Sequence, residues 1–170
     1  GGQDELVFDG RSMVIDPDGN ILARAKAFEE DILTLSVDVD KVRRKRLLDT
    51  RLREVEKKES IIIIRTSDSR EIPYITPRVE RNPKGEEEIY LALLTGLRDY
   101  VFKNSFKKVV LGLSGGIDSS LVACLAVDAL GKDRVVGVFM PSPFTPQESR
   151  EDIYSLVNNL GIELYEFPID

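Results

Sequence analysis

The chain has 170 residues, 42% hydrophobic and 32% charged, with a net charge of -6, one cysteine and no histidine. That is enough for one ordinary domain or for parts of two, and the missing imidazole removes Ser-His, Cys-His and His-metal chemistry from within this chain. A lone cysteine excludes an internal disulfide and leaves a reducing, cytoplasmic compartment as the expectation; no apolar run nears the ~20 residues of a membrane span, the polar start "GGQDELVFDG" lacks signal-peptide order, and the acidic balance argues against nucleic acid as the main partner.

In chain order, "RSMVIDPDGNILARA" reads as a hairpin, with Met13 to Ile15 and Ile21 to Ala23 as strands around Asp16-Pro17-Asp18-Gly19. Alternation of Leu33, Leu35, Val37 and Val39 in "DILTLSVDVD" predicts a third strand. The next stretch, "KVRRKRLLDTRLREVEKKES", carries nine Lys and Arg among good helix formers, with no aromatic residue to stack on bases. It is expected to be a solvated helix or subunit contact rather than a nucleic-acid surface. "SIIIIRTSD" reads as a short buried strand, and "REIPYITPRVERNPKG" as a Pro-punctuated linker with little regular structure.

From Glu86 the pattern becomes regular. "EEEIYLALLTGLRDYVFKN" places Ile89, Leu93, Leu97, Tyr100 and Val101 on one helical face. Strand "VVLGL" follows, then a helix with Leu121, Val122, Leu125 and Ala129 expected on its inner side and Gly131 as its stop. After strand "VVGVF", a second helix is expected to start at Thr145 with a capping box to Glu148 and Pro146 at its first position. Its buried stripe is Ile153, Leu156, Val157 and Leu160, Gly161 ends it, and "ELYEFPI" is a third strand. Alternating strands and helices predict an α/β fold with right-handed crossovers and a parallel sheet covered on both faces. This chain by itself is expected to leave one sheet edge open and one face uncovered.

The turn between "VVLGL" and the helix after it, Ser114-Gly115-Gly116, sits where parallel α/β sheets bind ligands, at the carboxyl ends of strands. Glycines without Cβ let backbone N–H groups approach a bulky anion, and the positive end of the following helix points to the same place. The turn has no Gly-Lys-Ser/Thr ending and no G-x-G-x-x-G. Instead Ser114 and Ser119 offer hydroxyls and Asp118 a carboxylate, which beside phosphates makes sense with Mg²⁺ between them. The bland reading is a Gly turn with Asp and Ser helix caps.

"SGGIDSS" resembles the pyrophosphatase-type ATP loop of amidotransferase synthetases, which include GMP synthetase, asparagine synthetase and tRNA-thiolating enzymes. The flanks "GLRDYVFKNSFKKVVLGLSGGIDSSLVACLAVDALG" and "VVGVFMPSPFTPQESREDIYSLVNNLGIELYEFPI" resemble the start of the NAD synthetase domain. "GGQDELVFDGRSMVIDPDGNILARA" resembles the last strands of a nitrilase-like glutaminase, and the two in this order resemble the glutamine-dependent NAD synthetase family. The resemblance implies residues 1–40 as the end of the glutaminase α/β sandwich, 41–85 as an interdomain linker and 86–170 as the first part of a Rossmann-like, adenine nucleotide alpha hydrolase-like domain. The chain would then be a central fragment, inactive alone.

By that resemblance Gly112, Leu113, Ser114, Gly115, Gly116, Ile117, Asp118 and Ser119 bind ATP phosphates, Asp118 ligates Mg²⁺, and Phe139 and Met140 lie by the adenine through backbone groups. Where the family often has Arg after Met-Pro-Ser, this chain has Pro143. The implied reaction adenylates deamido-NAD with ATP and amidates it with ammonia from glutamine, giving NAD, AMP and pyrophosphate. The family's Glu-Lys-Cys glutaminase triad falls outside this chain, and Cys124, mid-helix, reads as a buried structural thiol. The expected partners are these small molecules, with no nucleic acid and no membrane, and a homo-oligomer in full-length form. Two other readings are another ligase with this loop, such as GMP synthetase, and a non-catalytic nucleotide-binding module.

Overall fold

The computed structural model describes residues 6–49 and 73–169. They fall into two compact units, Gly10–Asn82, and Pro83–Asp170 together with Gly1–Asp9.

In the first unit, strands β1 (Met13–Ile15) and β2 (Ile21–Arg24) pair antiparallel, with Val14 opposite Ala23. The turn between them is built on Asp16. Its carboxylate accepts from the Asp18 and Asn20 backbone N–H groups at 2.8 and 2.9 Å, and Gly19 takes a φ of 89° that a glycine adopts without strain. Helix α1 (Val39–Leu48) begins two residues before the basic stretch, because Asp38 caps it by accepting from Lys41 N at 3.1 Å. Two of its bases meet the acidic turn: Lys41 Nζ lies 2.7 Å from Asp16 and 3.0 Å from Asp18, and Lys45 Nζ lies 2.8 Å from Asp18. The Lys41 ammonium, followed by the Asn20 N–H, holds the Asp16 carboxyl far below the ordinary carboxylate range.

The third strand expected in residues 31–40 does not form. Alternation alone makes no strand without a partner to complete a ladder; the backbone of the segment pairs with another segment's backbone at Ser36, whose N–H donates to Ile75 O and whose Oγ accepts from Ile75 N. Residues 73–84 contain no helix or strand, as the linker reading anticipates. They are nonetheless tied to β2: Arg24 N donates to Arg78 O at 2.9 Å and Glu80 N to Arg24 O at 3.1 Å. Arg78 also pairs with Asp31 at 2.5 Å and Glu80 at 2.6 Å. The rest of the basic stretch and the "SIIIIRTSD" strand lie outside the described residues.

In the second unit, β3 (Val109–Leu113), β4 (Val135–Phe139) and β5 (Glu163–Glu166) form a parallel sheet in the order β3-β4-β5. Helix α3 (Ile117–Leu130) and helix α4 (Gln147–Leu160) make the two crossovers. Strands added in one direction with crossovers of one hand receive their helices on the same face. Accordingly Ala123 of α3 and Ile153 of α4 share one core with Leu113 and Phe139, while Val110 on the opposite face stays 67% exposed. Among the described residues the opposite face is covered only in part, since Val136, beside Val110 in the register, is buried.

Helix α2 (Glu86–Lys103) packs chiefly on α3. Its buried residues are Thr95 and Val101, and Leu97 reaches the core of Ala126, Val135 and Ile162, whereas Ile89, Leu93 and Tyr100 of the expected stripe are exposed. Tyr90 Oη donates to Asp128 Oδ2 of α3 at 2.5 Å, which pushes the phenol up to about 12.

Helix α3 also turns a different side inward. Ala123, Ala126 and Leu130 are buried, and Leu121 and Val122 are 52% and 50% exposed. The small alanine side chains let the helix axis lie close over a sheet whose middle strand has Gly137 at its centre, where Leu113 and Leu164 fill the space a side chain would take. The stops are as expected: Gly131 N and Gly161 N each bond Val157 or Val127 one turn back, Gly131 to Val127 O at 2.8 Å and Gly161 to Val157 O at 2.9 Å, both at positive φ. The α4 stripe of Ile153, Leu156, Val157 and Leu160 also forms as read. The capping box does not, because Thr145 Oγ1 accepts from Ser142 N at 2.8 Å and α4 starts after Pro146 without a side-chain cap.

Candidate functional site

Leu113 stands opposite Phe139 in the parallel register, so the loops leaving β3 and β4 emerge side by side at the carboxyl end of the sheet. Every expected phosphate-loop residue lies in or next to the first of these loops. Gly112 and Leu113 close β3, Ser114 and Gly115 make the turn, Gly116 caps α3, and Ile117, Asp118 and Ser119 form its first turn. Leu113 is buried in the core; Gly112, Ser114, Gly116, Ile117 and Asp118 are exposed.

The loop is held by its own hydroxyls. Ser119 Oγ accepts from Ser114 N at 3.3 Å and donates to Gly116 O at 3.1 Å, Ser120 Oγ donates to the same carbonyl at 2.9 Å, and Gly116 N donates to Ser114 Oγ at 3.3 Å. Ser114 and Ser119 thus shape the backbone first. Ser120, which the motif reading passes over, is the tightest of these contacts.

The two glycines differ. Gly115 has a φ of 78°, and a Cβ there would lie 2.8 Å from Ser149 Cβ and Ser149 O and 2.9 Å from Ser149 Cα, so only glycine lets the loop seat against α4. Gly116 has an ordinary extended backbone, φ -87° and ψ 161°, and a Cβ there would meet only Ser114 Oγ at 3.4 Å. Its missing side chain leaves the N-terminal end of α3 open to an anion, where backbone N–H groups and the helix dipole converge.

At the second loop, Met140 is half exposed and its Cε lies 4.0 Å from where a Gly112 Cβ would be. Phe139 is buried, edge-on to Tyr154 at 6.3 Å between ring centroids. Its carbonyl accepts from Phe167 N at 2.8 Å, as Pro141 O does from Ile169 N at 2.9 Å. Both carbonyls are thereby turned toward the β5 side; Met140 approaches β3 at Gly112, while Phe139 packs with Leu113 in the core. Cys124 lies in mid-α3, partly buried and without a disulfide. Among the described residues no cluster of three or more His, Cys, Asp or Glu could hold a metal by itself.

Residues 89–170 match the family model "NAD synthase" and residues 1–47 the model "Carbon-nitrogen hydrolase". The chain is 60% identical to a glutamine-dependent NAD(+) synthetase of Aquifex aeolicus and 50% identical to that of Thermotoga maritima, in each case over 99% of this chain and 30% of the relative. A solved glutamine-dependent NAD+ synthetase from Acinetobacter baumannii, in complex with adenosine diphosphate, superposes with a TM-score of 0.71 at 35% identity, over 99% of this chain and 26% of that one. The chain therefore spans about a third of the length of the curated relatives it matches.

Proposed function

We propose that this chain, homologous along its whole length to glutamine-dependent NAD(+) synthetases, is a central segment of such an enzyme and carries the ATP end of its synthetase half. The observation that carries the reading is the contrast at the turn: Gly115 is required by packing, whereas Gly116 is bare where an anion would sit. The relative's complex with adenosine diphosphate supports a nucleotide as that anion's source. Residues 1–40 would close a glutaminase domain, 41–85 link it, and 86–170 open the synthetase domain; the matches of residues 1–47 and 89–170 support the order of the two parts.

In this reading the N–H groups of the first turn of α3 receive the phosphates of ATP, and the Ser114 and Ser119 hydroxyls, which bond Gly116 N, Ser114 N and Gly116 O, fix the direction of the loop that leads into that turn. Met140 borders the adenine. Asp118 makes no salt bridge among the described residues, and its exposed carboxylate would hold Mg²⁺, since that ion needs only one or two protein carboxylates beside phosphate and water oxygens. When bound, the ion neutralises charge on the phosphates. The overall reaction is adenylation of deamido-NAD at its nicotinate carboxylate with loss of pyrophosphate, then displacement of AMP by ammonia. The ammonia is released from glutamine by a triad outside this chain. A homo-oligomeric state and a cytoplasmic location for the full-length enzyme belong to the same proposal; no helix among the described residues is long and apolar enough to cross a membrane.

The test is pyrophosphate release by the full-length enzyme with deamido-NAD and ammonia across a Mg²⁺ series. Gly116→Ala should stay folded and lose ATP affinity at every Mg²⁺ concentration, because a methyl group does not titrate. Asp118→Asn should regain part of its rate as Mg²⁺ is raised, by mass action. Parent rates in both folded variants would reduce the turn to a helix cap, and activity with XMP in place of deamido-NAD would move the chain to the GMP synthetases.

A further inference from the structure

Two neighbouring residues near the start of α4 touch the two loops of the site separately. Ser149 is the surface on which Gly115 rests: its Cα, Cβ and carbonyl oxygen lie where a side chain at Gly115 would have to go. Arg150, the next residue, reaches the other loop. Its Nη2 donates to Ser142 O at 3.2 Å, and its guanidinium lies 5.8 Å from the centroid of the Phe139 ring. That segment is also bonded from the opposite side, where Phe167 N and Ile169 N donate to Phe139 O and Pro141 O. Arg150 thus completes a bracket around residues 139–142, with Met140 inside it.

We propose that Arg150 is a positioning residue of the nucleotide site: it fixes the β4 exit loop, and with it Met140, at the distance from the phosphate loop that Ser149 sets. The inference rests on the ATP reading above and deepens it. The chemistry favours arginine for this place. A planar guanidinium can lie over an aromatic ring and still present an in-plane N–H to a carbonyl, which the point charge of lysine does less well. Arg150 does not point at the phosphates, so its loss should weaken how the adenine end is held and leave the chemistry of the α-phosphate alone.

The expected signature is a split between binding and turnover. In the full-length enzyme Arg150→Ala should raise the KM for ATP about tenfold, the loss of one charge-assisted hydrogen bond and its stacking, with kcat at saturating ATP within about twofold of the parent. Arg150→Lys, which keeps a donor for Ser142 O, should recover part of the loss. Ser155→Ala, at an exposed position further along α4, should match the parent, whereas a general weakening of α4 would move all three variants together. Ammonia release from glutamine serves as the control for folding. A folded Arg150→Ala enzyme with the parent's KM for ATP overturns the inference, as does a fall in kcat with KM unchanged. A parent enzyme that neither binds ATP nor releases pyrophosphate overturns the ATP reading and this inference with it.

Discussion

The two units of the chain are held by different forces. The hairpin unit joins its parts by charge: Asp16 and Asp18 to Lys41 and Lys45, and Arg78 to Asp31 and Glu80. Its strands are three and four residues long, Met13 and Ile15 are exposed, and its buried apolar residues are Ala23, Ala25 and Phe28. The sheet unit is joined instead by side chains of Leu113, Ala123, Phe139 and Ile153, and its surface ion pairs, such as Lys108 with Glu163 at 3.4 Å, lie at the rim. Contacts of the first kind answer to pH and salt; contacts of the second answer to volume. The candidate site belongs to the second kind, and its loop owes its shape to packing.

The sharpest way to break this contrast is to open the apolar core. Ile153 is 1% exposed in the middle of α4, so Ile153→Ala should cost about 2–5 kcal/mol. The loss, read from thermal unfolding, should be insensitive to salt. A cost below about 1 kcal/mol would show that the core is looser than drawn.

A somewhat smaller effect is expected where packing meets the site. Gly115→Ala combines a left-handed backbone with the approach to Ser149, strain of about 1–3 kcal/mol, whereas Gly116→Ala should change stability by less than about 1 kcal/mol. Equal melting temperatures for the two variants would contradict the distinction drawn between them.

The gentlest probe is acid. The Asp16 carboxyl in the fold titrates far below its value in the unfolded chain, chiefly because of Lys41, and those of Asp18 and Asp31 are also lowered, by Lys45 and Arg78 first. Groups depressed in this way stabilise the fold above the unfolded value of about 4 and lose that contribution as pH falls below it. Protection of the Asp18 and Asn20 amides against hydrogen exchange should hold from neutral pH to about 4 and then decline, and Asp16→Asn should flatten the response. Added salt should weaken the tie of Lys45 to Asp18, both exposed, before that of Lys41 to Asp16.

Legibility in the sequence follows the same division. The hairpin, the order of elements from Glu86 onward and the stops at Gly131 and Gly161 are local signals, and the chain obeys them. What is misread depends on partners. Helix α3 is apolar nearly all round, so its pattern cannot say that Ala123 and Ala126 face the sheet while Leu121 and Val122 do not. Alternation in residues 31–40 promises a strand that has no ladder to join, and Thr145 has a cap's spacing but its hydroxyl oxygen accepts from Ser142 N instead. At the site, the Gly-Gly turn and its place after a strand could be read directly. The contacts of Ser149 with Gly115 and of Arg150 with Ser142 could not, because they arise only when α4 folds back onto the loops.

The unequal glycines also bear on how such sequences should be read in descendants. On the proposed reading, a lineage that stopped binding a nucleotide would still need Gly115, since α4 would press on that position as before, whereas a side chain at Gly116 would meet only Ser114 Oγ. A surviving first glycine is then a record of architecture, and it is the second that reports whether the site is still in use.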